Sequence, residues 1–484
     1  MNKWSVWKKD WFVGLLVALT FLAGARSDLV QSLERKAYDL GVQASSRAPS
    51  DRIAVIAIDD QSIANLGRWP WPREVHARML DVLAAGHPKV IGYTAFFFEP
   101  QVDAGLIYIH KIAELLGKQA LLAGAQSGVA ASGVVAAQPV AEVAQGAEVP
   151  VVPEPLSPLD VTLLEAAKNL DNDQKLADSM ARVNDVLLAM FFNLGQPQGK
   201  PGQPLPDYAL RNALPNVQAG GSGANPLPAQ GVLLPISRLG SKALAIGHLN
   251  NNPDVDGAVR TEPLAVNYYG QYYPSLSLML AARSLNLAAA DIRVVLGESV
   301  QLGNRKIATD AASQMHTHFY RDRDGHPAFP VDSFYDVLTG KIPAEKYRDK
   351  IVLIGATAAG VGSLQITPVS PGMAPVLALA HSVSGILNGD FFVVPGWAGL
   401  AESGVFLLVA LYLILLLPRL GAAVGALVTG GLFAALLGTH FALMTTQALW
   451  LQLMLPAALL LVGHLLLTTK RHLLTEKGKQ KSDA

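Results

Sequence analysis

The stretch Trp397–Leu417, WAGLAESGVFLLVALYLILLL, decides the architecture of this chain. Glu402 is its one charged residue. An apolar helix of about 18–25 residues is long enough to cross a hydrocarbon core of about 30 Å. Two stretches of the same kind follow, Gly421–Met444 (GAAVGALVTGGLFAALLGTHFALM) and Trp450–Leu467 (WLQLMLPAALLLVGHLLL). A shorter one, Trp11–Ala25 (WFVGLLVALTFLAGA), opens the chain behind Lys3, Lys8 and Lys9. Residues 27–395, between the first stretch and the other three, are more polar. The pattern predicts a start and first membrane helix over 1–26, one large aqueous domain over 27–395, three membrane helices over 396–468 and a basic tail over 469–484.

Lys and Arg on short loops stay on the cytoplasmic side of a membrane. With four spans, the N-terminal lysines, the Pro418-Arg419 turn and the tail bearing Lys470, Arg471, Lys477, Lys479 and Lys481 all fall on that side. The uncharged Thr445-Thr446-Gln447 turn falls on the other, together with 27–395. Trp11–Ala25 also has the basic start and small-residue end of a cleaved signal peptide. Its apparent continuation into Ser27–Ser46 favours a retained anchor.

Cysteine is absent, which excludes disulfides and thiolate–metal sites. Lys plus Arg and Asp plus Glu number 38 each, so overall charge gives no argument for nucleic-acid binding. A domain of this size builds its own core without staples.

Ser27–Ser46 reads as a helix with Leu29, Leu33, Ala37 and Leu40 on one stripe. The stripe suits a stalk above the first span, pairing with a second copy in a homo-oligomer, or packing on its own domain. Arg52–Asp59 (RIAVIAID) is a buried strand, Arg73–Ala85 a helix and Lys89–Phe98 a second strand. Together they predict a βαβ unit with a parallel pair. Residues 120–158 keep no period and read as a flexible insertion. Val161–Val183 returns to helix, and Gly195–Pro228 is loop-rich. Hairpins are expected around Gly270 and Gly303-Asn304. Met315–Tyr320 reads as a strand, Val331–Leu338 as a short helix and Lys350–Gly355 (KIVLIG) as a buried strand. The fold class predicted is an α/β domain, a mixed sheet with a βαβ core and antiparallel additions, joined to a helical membrane unit.

IAVIAIDDQSIANLGRWPWPREVHARMLDVL followed by VIGYTAFFFEP resembles the opening of the type-two CHASE domain, the cyclase/histidine-kinase-associated sensory extracellular module. The resemblance continues in DVDGAVRTEPLAVNYYGQYYPSLSLMLA, in FYDVLTGKIPAEKYRDKIVLIGATAAGVG and in ITPVSPGM, covering about residues 28–395. Three closing membrane helices are usual in that family. The details are most similar to the subgroup found upstream of bacterial serine/threonine kinase domains. The resemblance thus implies a sensor in a bacterial inner membrane that passes an external signal to a cytoplasmic effector, such as a kinase. Thr94 and Ser363 stand where the family often has acidic residues, which puts any carboxylate-dependent ligand or metal binding in doubt.

Ligands of α/β sheets gather at the carboxyl ends of strands. That end holds Asp59 and Asp60, which with Arg68 and Arg73 form a small-anion or zwitterion site, or else cap the next helix. Trp69 and Trp71 read as a stacking platform or as packing under a proline turn. Gly355-x4-Gly360-Val361-Gly362 lacks the Lys and Ser/Thr of a phosphate loop. Gly355 and Thr357 there are a pocket edge or a tight strand-to-helix turn. Asp254-Val255-Asp256-Gly257 and Asp322-Arg323-Asp324-Gly325 lack the outer carboxylates of a calcium loop and read as turns. His316 and His318, two apart on a strand, are a weak metal pair. No catalytic set, metal site or cofactor is assigned.

The expected partners are membrane lipid, an external ligand of unidentified class and a cytoplasmic effector, with no nucleic acid. The alternatives are a membrane-anchored protein that binds a structural partner, and a membrane enzyme. Glu402 and His440 lie at similar depth in adjacent antiparallel spans, so a polar contact between them is expected, against the alternative that both reach the headgroups.

Overall fold

The computed structural model describes residues 9–126, 156–221, 223–322 and 327–482. Its centre is strand β1 (Ile53–Ile58, IAVIAI), buried at all six positions. A strand that is aliphatic on both faces needs a neighbour at each edge and a layer on each side. Both edges are filled in parallel, by Ile351–Ala356 and by Val331–Ser333. Strand β2 (Val90–Tyr93) pairs in parallel with the far edge of Ile351–Ala356. The expected βαβ unit therefore has its two strands separated by KIVLIG, a segment from much later in the chain. The helix between them, Arg73–Gly86, is present as expected.

Beyond β2 lies β3 (Val186–Leu194), which changes partners along its length. Its first half pairs in parallel with β2 and with Ala245–His248, and its second half pairs antiparallel with Pro228–Leu233. The sheet ends in the Ala265–Tyr268/Gln271–Pro274 hairpin around Gly270 and has nine strands among the described residues. Gly303 turns the Ser299–Leu302/Arg305–Ala308 hairpin of a separate four-stranded sheet.

Alternate residues of each central strand face opposite layers. Ile53, Val55, Val90, Leu187, Ile351 and Leu353 pack under helices Leu276–Ser284 and Pro375–Asn388. Ala54, Ile56, Ile58, Ile91, Leu188 and Ile354 pack with Met79, Leu80 and Leu83 of Arg73–Gly86 and with Leu176 and Met180 of Asn172–Val183. The body is a three-layer α/β sandwich. Helix Leu276–Ser284 lies so close to the sheet that a Cβ at Gly247 would sit 2.6 Å from Leu276 Cα and 2.7 Å from its amide nitrogen. Gly247→Val should cost about 3 kcal/mol or more, because backbone cannot yield as a side chain does. Thermal melting in detergent checks this; an unchanged midpoint would contradict the close packing.

Several boundaries differ from expectation. Val331–Ser333 is strand, and only Phe334–Leu338 is helical, because β1 recruits the former as its outer neighbour. The 161–183 helix is two, Pro158–Leu170 and Asn172–Val183, divided where the Asp171 side chain caps the second by accepting from Gln174 N. The second strand stops at Tyr93 rather than Phe98. At the near end of the expected insertion, Gln119–Gln126 is helical and Leu122 is buried; residues 127–155 lie outside the described ones.

Among the described residues three helices are long and apolar enough to cross a membrane: Ala398–Arg419, Ala422–Gln447 and Met454–Leu474. Helix α1 (Asp10–Ala23) joins their bundle, with Val17 and Ala18 packed among Val409, Leu413 and Leu460. It does not continue straight. A break at Gly24–Ser27 turns α2 (Asp28–Ala44) by 78°. The α2 stripe also differs: Leu29, Leu33 and Leu40 are exposed, whereas Val30, Glu34, Ala37, Tyr38, Gly41 and Val42 are buried. Tertiary contacts on both sides of α2 choose the buried face here, and one of its central residues is an acid.

Inside the bundle, Tyr412 Oη and Thr429 Oγ1 lie 2.8 Å apart, and Thr429 Oγ1 lies 2.8 Å from His464 Nδ1, so one chain of polar groups joins the three long helices. At one end Asp10 receives Lys470 Nζ at 3.0 Å and Arg471 Nε at 2.8 Å, and Arg471 Nη2 donates to the Leu417 carbonyl at 3.0 Å.

Candidate functional site

The carboxyl ends of β1, Ile351–Ala356 and β2 meet at one edge of the sheet. There Asp59 caps the Asp60–Leu66 helix: its Oδ1 accepts from Ser62 N at 2.8 Å, from Ser62 Oγ at 2.5 Å and from Ser333 Oγ at 3.0 Å. Asp60 Oδ1 accepts from Ala359 N at 3.2 Å and so fixes the loop after Gly355. Thr357 N donates to the Ile58 carbonyl at 3.0 Å. Thr94 Oγ1 donates to the Ile354 carbonyl at 3.1 Å and occupies the space a Cβ at Gly355 would need. The fold thus assembles Asp59, Asp60, Thr94, Gly355 and Thr357.

The loop Gly67–Arg73 brings its residues elsewhere. Trp71 is buried, donates Nε1–H to the Gly67 carbonyl at 2.8 Å and packs on Phe334 at 4.9 Å between ring centres. Trp69 is half-buried, edge-on to Trp71 at 5.2 Å, and the Trp69-Pro70 bond that follows it is cis. Beneath them His76 Nδ1 lies 2.6 Å from Tyr93 Oη, and burial pushes the imidazole down to about 3. Arg73 turns away from Asp59 and Asp60. It faces Asp173 at 3.4 Å, donates to the Glu99 carbonyl at 3.0 Å and lies 4.6 Å over the Phe97 ring. Arg68 is exposed. The arginines and the two aspartates therefore do not converge on one anion.

The densest constellation of charge lies at the other end of the body, around α2. Arg260 Nε and Nη2 donate to the two Asp39 oxygens, both at 2.8 Å. Its Nη1 reaches Asp254 at 2.6 Å and Asp256 at 2.9 Å, and Arg35 Nε adds a second cation 3.4 Å from Asp256. Only 6% of the Arg260 side chain is exposed. Burial alone would lower its pKa, but the hydrogen bonds it donates to Asp39, Asp256 and Asp254 raise it, and Arg260 in turn holds Asp256 down at about 2. The Asp254-Val255-Asp256-Gly257 segment is a turn, with Gly257 N donating to the Asp254 carbonyl at 2.8 Å and φ of +79° at Gly257. In the second Asp-Gly segment, 323–326 lie outside the described residues.

On its other side α2 meets the apolar bundle. Glu34 is buried, and its Oε1 accepts from Met454 N at 2.7 Å and Leu455 N at 3.1 Å, which caps the last long helix. Such an N-terminus carries unpaired amides and partial positive charge that favour a carboxylate. His440 Nε2 lies 3.1 Å from the Ala37 carbonyl and Nδ1 3.2 Å from the Leu451 carbonyl. Glu402 Oε1 accepts from Gln452 N at 2.8 Å. The expected Glu402–His440 contact is thus divided: the two side chains bond to neighbouring residues of one segment rather than to each other.

That segment corrects the third stretch read from sequence. Trp450–Leu453 lies outside the helix, which starts at Met454, so Pro456 falls in the first turn, where its missing N–H costs nothing. Val393 N donates to the Ala448 carbonyl at 2.8 Å and Trp450 N to the Val393 carbonyl at 3.0 Å, which ties the segment to the strand leaving the body. Tyr38 packs on Trp450 at 4.8 Å and on Phe392 at 5.5 Å. His316 lies against Trp450 at 5.4 Å, and His318 Nε2 lies 2.9 Å from Ser45 Oγ. These two histidines meet α2 and its surroundings instead of forming a pair.

Sequence reading missed Glu34, Asp39, Arg260 and Trp450 as one group. The only local signal was an arginine four residues after Asp256.

A family model described as CHASE2 domain matches residues 13–417. No curated protein and no solved structure matches the chain significantly. The match runs through α1, α2, the α/β body and the first long apolar helix, and stops before the later helices whose residues Met454, Leu455 and His440 meet α2. CHASE2 is a sensory, non-catalytic domain of signalling receptors, and this chain belongs to the CHASE2 family.

Proposed function

We propose that this chain is the extracytoplasmic sensory module of a bacterial inner-membrane receptor, passing a conformational signal from its α/β body through its membrane helices to a cytoplasmic effector. The observation that carries the proposal is the double attachment of α2. Arg260 fastens it to the body, while Glu34 and the Ala37 carbonyl fasten it to the long helices. A shift of the body is thereby imposed on the start of the Met454–Ser482 helix, which leads to the chain's end. The effector is a serine/threonine kinase on the sequence resemblance. The external ligand binds at the carboxyl ends around Asp59, Asp60, Gly355 and Thr357.

The basic end of the bundle supports this orientation. Asp10, Lys470 and Arg471 meet there beside the 417–420 turn, and lysine and arginine stay inside. In this cysteine-free chain, Lys200→Cys should react with an impermeant thiol reagent in intact cells and Arg419→Cys only after lysis. Equal labelling would reverse or abolish the assigned topology.

Transmission is tested by joining a serine/threonine kinase catalytic domain after Ala484. Arg260→Met should change its autophosphorylation severalfold, and Lys242→Met, on the exposed surface, should not. Identical output from both would sink a route through α2.

A further inference from the structure

Helix α2 has three working faces. One carries Arg35 and Asp39 to the body, a second carries Glu34, Ala37 and Gly41 to the bundle, and the third is free. The free face holds Leu29, Leu33, Lys36 and Leu40, at offsets of four, seven and eleven residues, which share one side of a helix. Leu29 is 74% exposed, Leu33 41% and Leu40 54%. Leucines Leu16, Leu19 and Leu22 of α1 are exposed to a similar degree, as is Leu427 of the second long helix. The free face of α2 thus continues the apolar outer surface of the bundle, interrupted by the turn at Gly24–Ser27 and by Lys36, whose long side chain can carry its ammonium out to the headgroups.

Its level and direction are set by contacts. Glu34 touches the first residues of the Met454 helix, Ala37 meets His440 near the end of the preceding one, and a Cβ at Gly41 would meet Met444. The 78° turn from α1 lays the helix across the end of the bundle. Beside its C-terminal end, Gln43 Nε2 donates to the Pro368 carbonyl at 2.6 Å, which brings up the Gln365–Met373 hairpin with exposed Leu364 and Ile366. Arg26 and Lys36 are exposed along the same helix and its approach.

We infer that α2 is an interfacial helix whose Leu29–Leu33–Leu40 face inserts into the headgroup–acyl boundary of an anionic bilayer, with Arg26 and Lys36 on lipid phosphates. Amphipathic helices lie in this way with the apolar side about 5–10 Å into the boundary and basic residues reaching out to the headgroups. The continuity with the lipid-facing leucines and the two basic residues favour lipid over protein as the occupant. The helix that reads the body would then also read the state of the membrane surface. This inference rests on the membrane assignment made above.

The test uses the full chain in nanodiscs of phosphatidylcholine and phosphatidylglycerol, spin-labelled singly at Leu33→Cys, Leu40→Cys, Leu427→Cys or Lys200→Cys. Collision with oxygen is compared with collision with a water-soluble nickel chelate. Leu33 and Leu40 should give oxygen-dominated ratios close to that of Leu427 and severalfold above that of Lys200. Water-like ratios at Leu33 and Leu40 beside an oxygen-dominated Leu427 would overturn the interfacial helix alone. A water-like Leu427 would overturn the membrane assignment and the inference with it. Dipolar broadening at Leu33 or Leu40 that vanishes on dilution with unlabelled protein would show a second copy on this face, and would also overturn it.

Discussion

Arg260→Met should lower stability by about 3 kcal/mol, because removing one partner of a buried charge cluster leaves the others uncompensated. The figure lies at the lower end of the range for buried pairs, since Asp254 and Asp256 keep 45% and 39% of their side chains exposed. Asp39→Asn should cost less, about 1–2 kcal/mol, because the amide still accepts one hydrogen bond from the arginine. The loss should be local before it is global. A thiol at Val42→Cys, buried between α2 and the body in the parent, should trap reagent much faster when Arg260 is replaced. An unchanged trapping rate with a lowered melting point would place the effect of Arg260 in the body and not in the attachment of α2.

A second large effect is expected with pH. Glu262, on the short Thr261–Pro263 strand, is partly exposed as a residue, but its carboxylate reaches inward to Ser277 Oγ at 2.5 Å and Ser382 Oγ at 3.3 Å. Both serines are buried. Burial raises this carboxyl from 4.5 to about 7, against the lowering effect of the two hydroxyls. The folded protein therefore keeps the proton between pH 4.5 and 7 while the unfolded chain releases it, so stability falls as pH rises through that interval. At about 1.4 kcal/mol for each pH decade, the penalty reaches about 3 kcal/mol at most by pH 7 and is constant above it.

The buried imidazoles of His76, His248 and His381, each pushed down to about 3, act in the opposite sense and remove stability as pH falls below 6.5. The comparison of parent with Glu262→Gln cancels their contribution. The variant should melt at the parent's temperature at pH 4.5 and several degrees higher at pH 8. A constant difference across that range would mean that Glu262 is ionised in the folded protein throughout.

The elements that were legible in the sequence are those whose cause is local. IAVIAI and KIVLIG are aliphatic at every position, so each is a central strand wherever it is placed. Gly270 and Gly303 adopt positive φ and close the expected hairpins. The apolar length of the C-terminal stretches sets the three long helices by the same kind of argument. Asp59 and Asp60, marked by their place after a buried strand, do lie at the sheet edge where they were expected.

What the sequence by itself determined about this protein is therefore its classes of element and the family to which they belong. Composition, period and turn chemistry act between near neighbours in the chain and are readable there. Strand order, the buried face of α2 and the site around Arg260 were decided only by tertiary structure. KIVLIG enters between β1 and β2 because both strands are apolar on both faces and leave an edge to be filled, which nothing near either strand announces. Glu34 is buried and three leucines are exposed on α2 because amides at Met454 and Leu455, some 420 residues further on, supply its hydrogen bonds. A carboxylate is turned inward only where a distant helix N-terminus waits for it, and pairings at that separation leave no period in the sequence.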